Sequence, residues 1–176
     1  GQIDITTDGN LKSKGDTITA SNLGGGEINI THGGGDLTST GGSGIVASTT
    51  DSVITVNVDG GEVSAAQDAI RLTGYNDLDV IVGKDGVVTG GDGFAAINFV
   101  QGYQNSVTNY GTMSSADMAD NAIGSLQFGR ILSEYDGAVG TFSNHSKMQA
   151  GTLGFNSTLG GGWNLDGYVQ SGKTLL

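Results

Sequence analysis

The sequence predicts an all-β fold, a single-stranded parallel β-helix with about six turns of three short strands each. The first observation is an internal repeat: the leading apolar residue of each unit recurs with steps of 27, 25, 27 and 26 residues, at Ile18, Ile45, Ile70, Ile97 and Ile123. The second is the alternation of apolar and polar residues inside each unit. The third is a chain of 176 residues with 33 glycines and no proline, because glycine permits tight corners whereas proline would remove a ladder hydrogen bond in every turn.

A second series of apolar residues keeps the same period in the third strand of each unit. Its members are separated by 26, 25 and 25 residues, at Leu37, Val63, Val88 and Met113. Met148 follows after 35 residues, which predicts an insertion of about ten residues in that unit. Each strand is expected to pair with its counterpart one turn away, while the other two faces of the coil supply the crossover that parallel strands need.

By length the chain forms one domain over residues 1–176, large enough for a sizeable core. Residues 1–41 are the most polar and form weaker N-terminal turns. Residues 42–148 carry the regular repeats. Residues 149–176, which include the only Trp, are expected to form closing turns.

Alternation identifies the buried face of individual strands. Ile3 and Ile5 predict an N-terminal edge strand. Ile54, Val56 and Val58 alternate with polar residues and predict one inward face in the middle of the chain.

Residues 114–127 fit two interpretations. The repeat register favours a strand at Ala122 and Ile123, and a one-turn helix over residues 115–119 is the alternative.

Charge and composition limit the partners. Seven basic and 18 acidic residues give a net charge of −11, which disfavours nucleic acid and anionic membrane surfaces. No apolar run approaches the length of a membrane span, so membrane insertion by this chain is not expected. There is no cysteine, hence no disulfide framework and no thiolate metal site. The start at Gly1 without Met suggests a mature segment or a fragment of a longer protein.

Carboxylates offer one candidate for catalysis. Asp77 and Asp79 flank Leu78 and would lie about 7 Å apart on one strand face, a spacing that suits a glycosidase pair. Because Leu78 belongs to the inward set, however, both acids are expected to face solvent. Asp68 aligns with Ala95 in the next unit, so no column of carboxylates is predicted there.

The two histidines and the glycine-rich stretches that contain aspartate can each be explained without a functional site. His32 and His145 are interpreted as polar turn residues of distant units. The stretches GGGDLTSTGG and GGDGF contain parts of a calcium-binding nonapeptide without its period, so no metal site and no cofactor are predicted. Asp59, Asn109 and Asn144 are interpreted as turn residues that bond their own backbone.

Aromatic residues supply the candidate binding site. Tyr75, Tyr103 and Phe128 follow the leading isoleucine of their units by five or six residues, and each lies at or beside a glycine. The spacing predicts a column of rings on one corner of the solenoid. Such a column either seals the core or forms an exposed ridge for a sugar or a neighbouring molecule. The neighbours with hydrogen-bonding capacity are Asn76, Gln104 and Arg130.

The repeated segment AINFVQGYQNSVTNYGTM, followed by GGGWNLDGYVQSGKTLL, resembles the passenger region of bacterial autotransporters over about residues 42–176. The resemblance implies a right-handed β-helix. It also implies export through the outer membrane of a Gram-negative bacterium, with display on the cell surface or release from it.

The expected function is adhesion or self-association, leading to aggregation or biofilm, and not catalysis. A rigid rod would offer repeated weak contacts that add by multivalency. The expected partner is a host surface, a matrix molecule, a glycan or a second copy of the chain. A β-helical enzyme acting on polysaccharides is the first alternative, and a structural stalk is the second.

Overall fold

The computed structural model describes residues 1–117, 131–133, 139–144, 155–157 and 163–167. Within these ranges every helix or strand is a β-strand, so the all-β prediction is confirmed. The strands are β1 (Ile3–Thr7), β2 (Leu11–Ser13), β3 (Ile18–Asn22), β4 (Ile28–His32), β5 (Asp36–Ser39), β6 (Ile45–Thr49), β7 (Ile54–Ala65), β8 (Ile70–Thr73), β9 (Leu78–Asp92), β10 (Ile97–Phe99), β11 (Gln104–Asn109), β12 (Thr112–Asp117), β13 (Ile131–Ser133), β14 (Val139–Asn144), β15 (Phe155–Ser157) and β16 (Trp163–Gly167).

The strands stack in parallel into a β-solenoid of about four turns. The smaller sheet has six strands in the order β15-β13-β10-β8-β6-β3. The larger sheet has ten strands, with the main path β1-β4-β7-β9-β11-β14-β16 and with β2, β5 and β12 beside it. Each strand therefore pairs with its counterpart in a neighbouring turn, as the repeat predicted.

Each turn passes three corners, which we number along the chain. The first corner links the smaller sheet to the larger one, at residues 23–27, 50–53, 74–77 and 100–103. The second corner lies at residues 33–35, 59–61, 83–86 and 110–111. The third corner returns the chain to the smaller sheet, at residues 14–17, 40–44, 66–69 and 93–96. Strands β7 and β9 run through the second corner without a break, so those two turns contain two strands and not the three that the sequence predicted.

The strand register confirms most of the predicted anchors. Ile18 pairs with Ile45, Ile45 with Ile70, and Ile70 with Ile97. In the third-strand series, Leu37 pairs with Val63, Val63 with Val88, and Val88 with Met113.

One anchor was wrong. The residue that pairs with Ile97 in the following turn is Ile131, not Ile123. The step from Ile97 is therefore 131 − 97 = 34 residues, and the extra length lies before β13. The insertion that the spacing predicts in the unit of Met148 is therefore present, and it precedes the first strand of that unit. Ile123 and Met148 lie outside the described residues.

The core fills the space between the two sheets. Ile54, Val56 and Val58 are completely buried, which confirms the predicted inward face of β7. Burial of one such side chain stabilises the fold by about 1.5–3 kcal/mol. Ile3 and Ile5 on β1 are only partly buried because β1 pairs with β4 on one side alone within the described chain.

Glycine is required where successive turns approach at the second corner. Gly35 and Gly61 adopt φ angles of +81° and +73°, a region that side chains rarely enter. A Cβ atom on Gly61 would lie 1.9 Å from the carbonyl oxygen of Gly35 in the turn below. The closeness of stacked backbones therefore explains part of the glycine content.

The structure also assigns a strand to the first part of residues 114–127, the segment that fitted two interpretations. Strand β12 continues through Asp117, which pairs with Asp92, so the one-turn helix over residues 115–119 is wrong for residues 115–117. Ala122 lies outside the described residues.

Candidate functional site

The first corner brings two of the predicted aromatic residues together. Tyr75 and Tyr103 lie on successive turns. Asn105 pairs with Leu78, which aligns Tyr103 with Asn76 and displaces it from Tyr75 by one residue. The backbone N–H of Tyr103 donates a hydrogen bond of 3.3 Å to the carbonyl oxygen of Asn76, so this part of the corner is tied to the turn below.

Both tyrosine side chains are exposed to solvent. Tyr75 is 57% exposed and Tyr103 is 60% exposed. Rings that sealed the core would be covered on most of their surface, so the interpretation as core caps is wrong for these two residues. The interpretation as an exposed ridge agrees with their exposure.

Glycine explains why the rings point outward. Gly74 and Gly102 precede the tyrosines and are buried. A Cβ atom on Gly74 would lie 3.2 Å from Leu78 Cδ2, and one on Gly102 would lie 2.7 Å from Leu78 Cδ1 and 2.0 Å from Asn105 Oδ1. The backbone at these two glycines thus covers Leu78, and the tyrosine side chain that follows each glycine projects into solvent.

Two of the polar residues named with the tyrosines lie beside them in the chain. Asn76 lies next to Tyr75, and Gln104 begins β11 next to Tyr103. Both amides are exposed, and so is Asp77. Phe128 and Arg130 lie outside the described residues. The equivalence of Phe128 with Tyr103 was counted from Ile123, which is not the anchor that the strand pairing uses.

Leu23 is a further member of this corner that sequence reasoning missed. It is 80% exposed, and its carbonyl oxygen accepts a hydrogen bond of 3.4 Å from the Thr50 hydroxyl in the next turn. Its register places it at the first corner, two turns from Tyr75. An apolar residue directly before three consecutive glycines was the signal that could have identified it.

The two acids of the candidate catalytic pair lie in different environments. Asp77 is exposed, whereas Asp79 is half-buried and accepts a short hydrogen bond from the Ser106 hydroxyl one turn away. Leu78 between them is completely buried, as predicted. Asp79 is thus part of a ladder of polar side chains on the outer face of the larger sheet, where Asn29 similarly donates to Asp4 at 3.0 Å.

His32 is not the polar turn residue that the sequence suggested. It ends β4 on the inward face and is completely buried. Its Nε2 lies 2.9 Å from the carbonyl oxygen of Gly35 and, because a carbonyl only accepts, donates to it. The Thr7 hydroxyl hydrogen-bonds Nδ1 at 3.0 Å. His32 therefore joins the second corner to the turn below, and His145 lies outside the described residues.

One of the predicted turn residues, Asn109, bonds the backbone of its own turn as expected. Asn109 pairs with Asn144, is buried, and accepts a hydrogen bond of 3.1 Å from the backbone N–H of Gly111. Val58, and not Asp59, shares this register position, since Asn109 pairs with Val82 and Val82 with Val58. Asp59 is exposed at the corner itself.

The described residues also bear on metal sites and on membrane spans. No group of three or more His, Cys, Asp or Glu side chains within them could hold a metal ion. In the same part of the chain, no helix has the length and apolar character needed to cross a membrane.

No protein-family model, curated protein or solved structure matches the chain. The features of the described chain that bear on function are the solenoid and the exposed residues of its first corner.

Proposed function

We propose that this chain is the β-solenoid of a bacterial surface protein that acts by adhesion or self-association and not by catalysis, with the first corner as its contact surface. The observation that carries the proposal is the pair Tyr75 and Tyr103, each more than half exposed at the same corner of successive turns. Exposed aromatic residues supply interface energy out of proportion to their number.

The scaffold supports a contact role for this corner. Backbone hydrogen bonds between turns hold the corner in place, so little order has to be gained on binding. Leu23 adds exposed apolar surface two turns away. Several weak contacts along one rod reinforce each other when many copies are displayed together.

The finer features of the proposal rest on the resemblance to autotransporter passengers. They are a right-handed solenoid of about six turns, export through the outer membrane, and display at the cell surface. Strands β13 to β16 support the larger number of turns, because they continue both sheets beyond β10 and β11. The partner is a host surface, a matrix molecule, a glycan or a second copy.

Display on bacterial cells tests the proposal. Cells that display the chain should aggregate or adhere to a host-matrix surface, and the double variant Tyr75→Ala/Tyr103→Ala should lose this property at equal display level. Tyr110→Ala is the matched control, because Tyr110 is 48% exposed at the second corner. Wild-type adhesion in the double variant would refute the first corner as the contact surface.

A further inference from the structure

We propose that the first corner binds a non-acidic oligosaccharide, meaning a sugar chain without carboxylate, sulfate or phosphate groups. The inference rests on the proposed contact function and specifies its partner. It follows from the placement of the two rings, from the amides beside them, and from the charge of the corner.

The backbone positions of the two tyrosines are about as far apart as consecutive units of an extended sugar chain. Tyr75 and Tyr103 are one turn apart, about 4.8 Å, and one residue out of register, about 3.3 Å. A pyranose ring presents a face of C–H groups that packs against the negative face of an aromatic ring. Two exposed tyrosines at this backbone spacing can therefore contact neighbouring sugars of one chain.

The amides beside the rings suit the hydroxyl groups of a sugar. Asn76 and Gln104 are both exposed, and each amide offers two N–H donors and a carbonyl acceptor. A sugar hydroxyl also donates and accepts, so one amide can satisfy two neighbouring hydroxyls. An apolar ring next to an amide is thus complementary to a pyranose, which has an apolar face and a polar edge.

Charge decides which sugars fit. Asp51 and Asp77 are exposed at the first corner. Within the described residues the lysines lie elsewhere, in β2 and at the second and third corners, and the only arginine, Arg71, lies on the smaller sheet. A uronate or sulfated sugar would meet carboxylates without countercharge. A neutral sugar avoids this cost, and an ammonium group on an amino sugar is attracted by the carboxylates and the tyrosine faces.

Calorimetric titration of the purified chain with four-residue oligosaccharides tests the inference. The neutral probes are oligomers of glucose, mannose and N-acetylglucosamine, the cationic probe is the glucosamine oligomer, and the acidic probe is the galacturonate oligomer. At least one neutral or cationic probe should bind, and the galacturonate oligomer should bind at least about tenfold more weakly. Tyr75→Ala/Tyr103→Ala should abolish binding, whereas Tyr110→Ala should retain it.

A second variant tests the charge argument separately. Asp51→Asn/Asp77→Asn should weaken binding of the glucosamine oligomer relative to that of the neutral oligomers and reduce the discrimination against galacturonate. Preferred binding of galacturonate by the unaltered chain would overturn the inference. Failure of all five probes, with adhesion of displaying cells still dependent on Tyr75 and Tyr103, would overturn it too and leave the proposed contact function intact.

Discussion

The carboxylate of Asp68 accepts a hydrogen bond of 2.9 Å from the backbone N–H of Ala95 in the next turn of the solenoid. Its other oxygen accepts one of 2.8 Å from the Asn98 side-chain amide, and Asp68 is only 5% exposed. Asp16 makes the equivalent contact with the backbone N–H of Ser43, at 2.8 Å. In alternate turns, an aspartate at the third corner therefore accepts a hydrogen bond from the backbone of the turn that follows.

Removing the Asp68 carboxylate should destabilise the fold. Asp68→Ala leaves the Ala95 N–H in a buried site without this acceptor, at an expected cost of about 2–3 kcal/mol in the free energy of unfolding. Urea unfolding followed by circular dichroism measures the change. The exposed Asp51 is the control, and Asp51→Ala should stay within about 0.5 kcal/mol of the unaltered chain. Equal effects of the two substitutions would show that the Asp68 contacts contribute nothing specific.

The inward and outward faces of the strands should respond differently to the same substitution. Ile97 is completely buried on β10, so Ile97→Asp places an unpaired charge in the core and should cost more than about 4 kcal/mol. Ile81 is an outward residue of β9 between Asn57 and Thr108 of the adjacent turns. Ile81→Asp should cost no more than about 1 kcal/mol. Comparable losses in the two unfolding curves would contradict the assignment of faces.

The glycines of the second corner should differ according to their geometry. Gly61→Ala forces a side chain into a positive φ angle and against the Gly35 carbonyl, and it should cost about 2 kcal/mol or more. Gly34→Ala is the control, because a Cβ atom there has no neighbour within 4 Å. The two melting temperatures report the difference. A Gly61→Ala variant as stable as the Gly34→Ala variant would mean that the stacked corners are less close than described.

Thermal unfolding should not depend on calcium. The described residues contain no cluster that could hold a metal ion, and the sequence predicts no calcium-binding repeat. Scans with EDTA and with added calcium should therefore give the same melting temperature. A ligand that binds only the folded state raises stability with its concentration. A fall of the melting temperature in EDTA that calcium reverses would reveal a site in this chain.

Much of the fold could be predicted because inward residues of a solenoid repeat with its period. Leu37, Val63, Val88 and Met113 have the same surroundings in each turn, so their spacing in sequence equals their spacing in register. The predicted register is wrong after the insertion. Ile123 and Ile131 are each adjacent to another apolar residue, so the sequence pattern fits either of them. The strand pairing identifies Ile131 as the partner of Ile97.

Burial of polar residues was harder to predict than burial of apolar ones. Residue type favours a polar turn position for His32, although it follows Ile28 and Ile30 in strict alternation and shares their inward face. Its partners, the Thr7 hydroxyl and the Gly35 carbonyl, become visible only when turns are stacked. Periodicity was therefore a better guide at this position than side-chain polarity.

For the candidate site, the sequence located Tyr75 and Tyr103 at one corner but could not decide whether they cover the core. The answer depends on Gly74 and Gly102, whose backbone lies against the buried Leu78 on the inner side of the corner. Such close approaches are tertiary contacts, and the spacing of residues along the chain does not encode them.

Adhesion of displaying cells, counted after a fixed wash, tests the contact surface most directly. At equal display level and with unchanged thermal unfolding, Tyr75→Ala and Tyr103→Ala should each reduce the number of retained cells, and the double variant should reduce it to the level of cells without the chain. Tyr75→Phe/Tyr103→Phe, which keeps both rings, should retain most of the adhesion. Retention of the double alanine variant at the level of the unaltered chain would contradict the account.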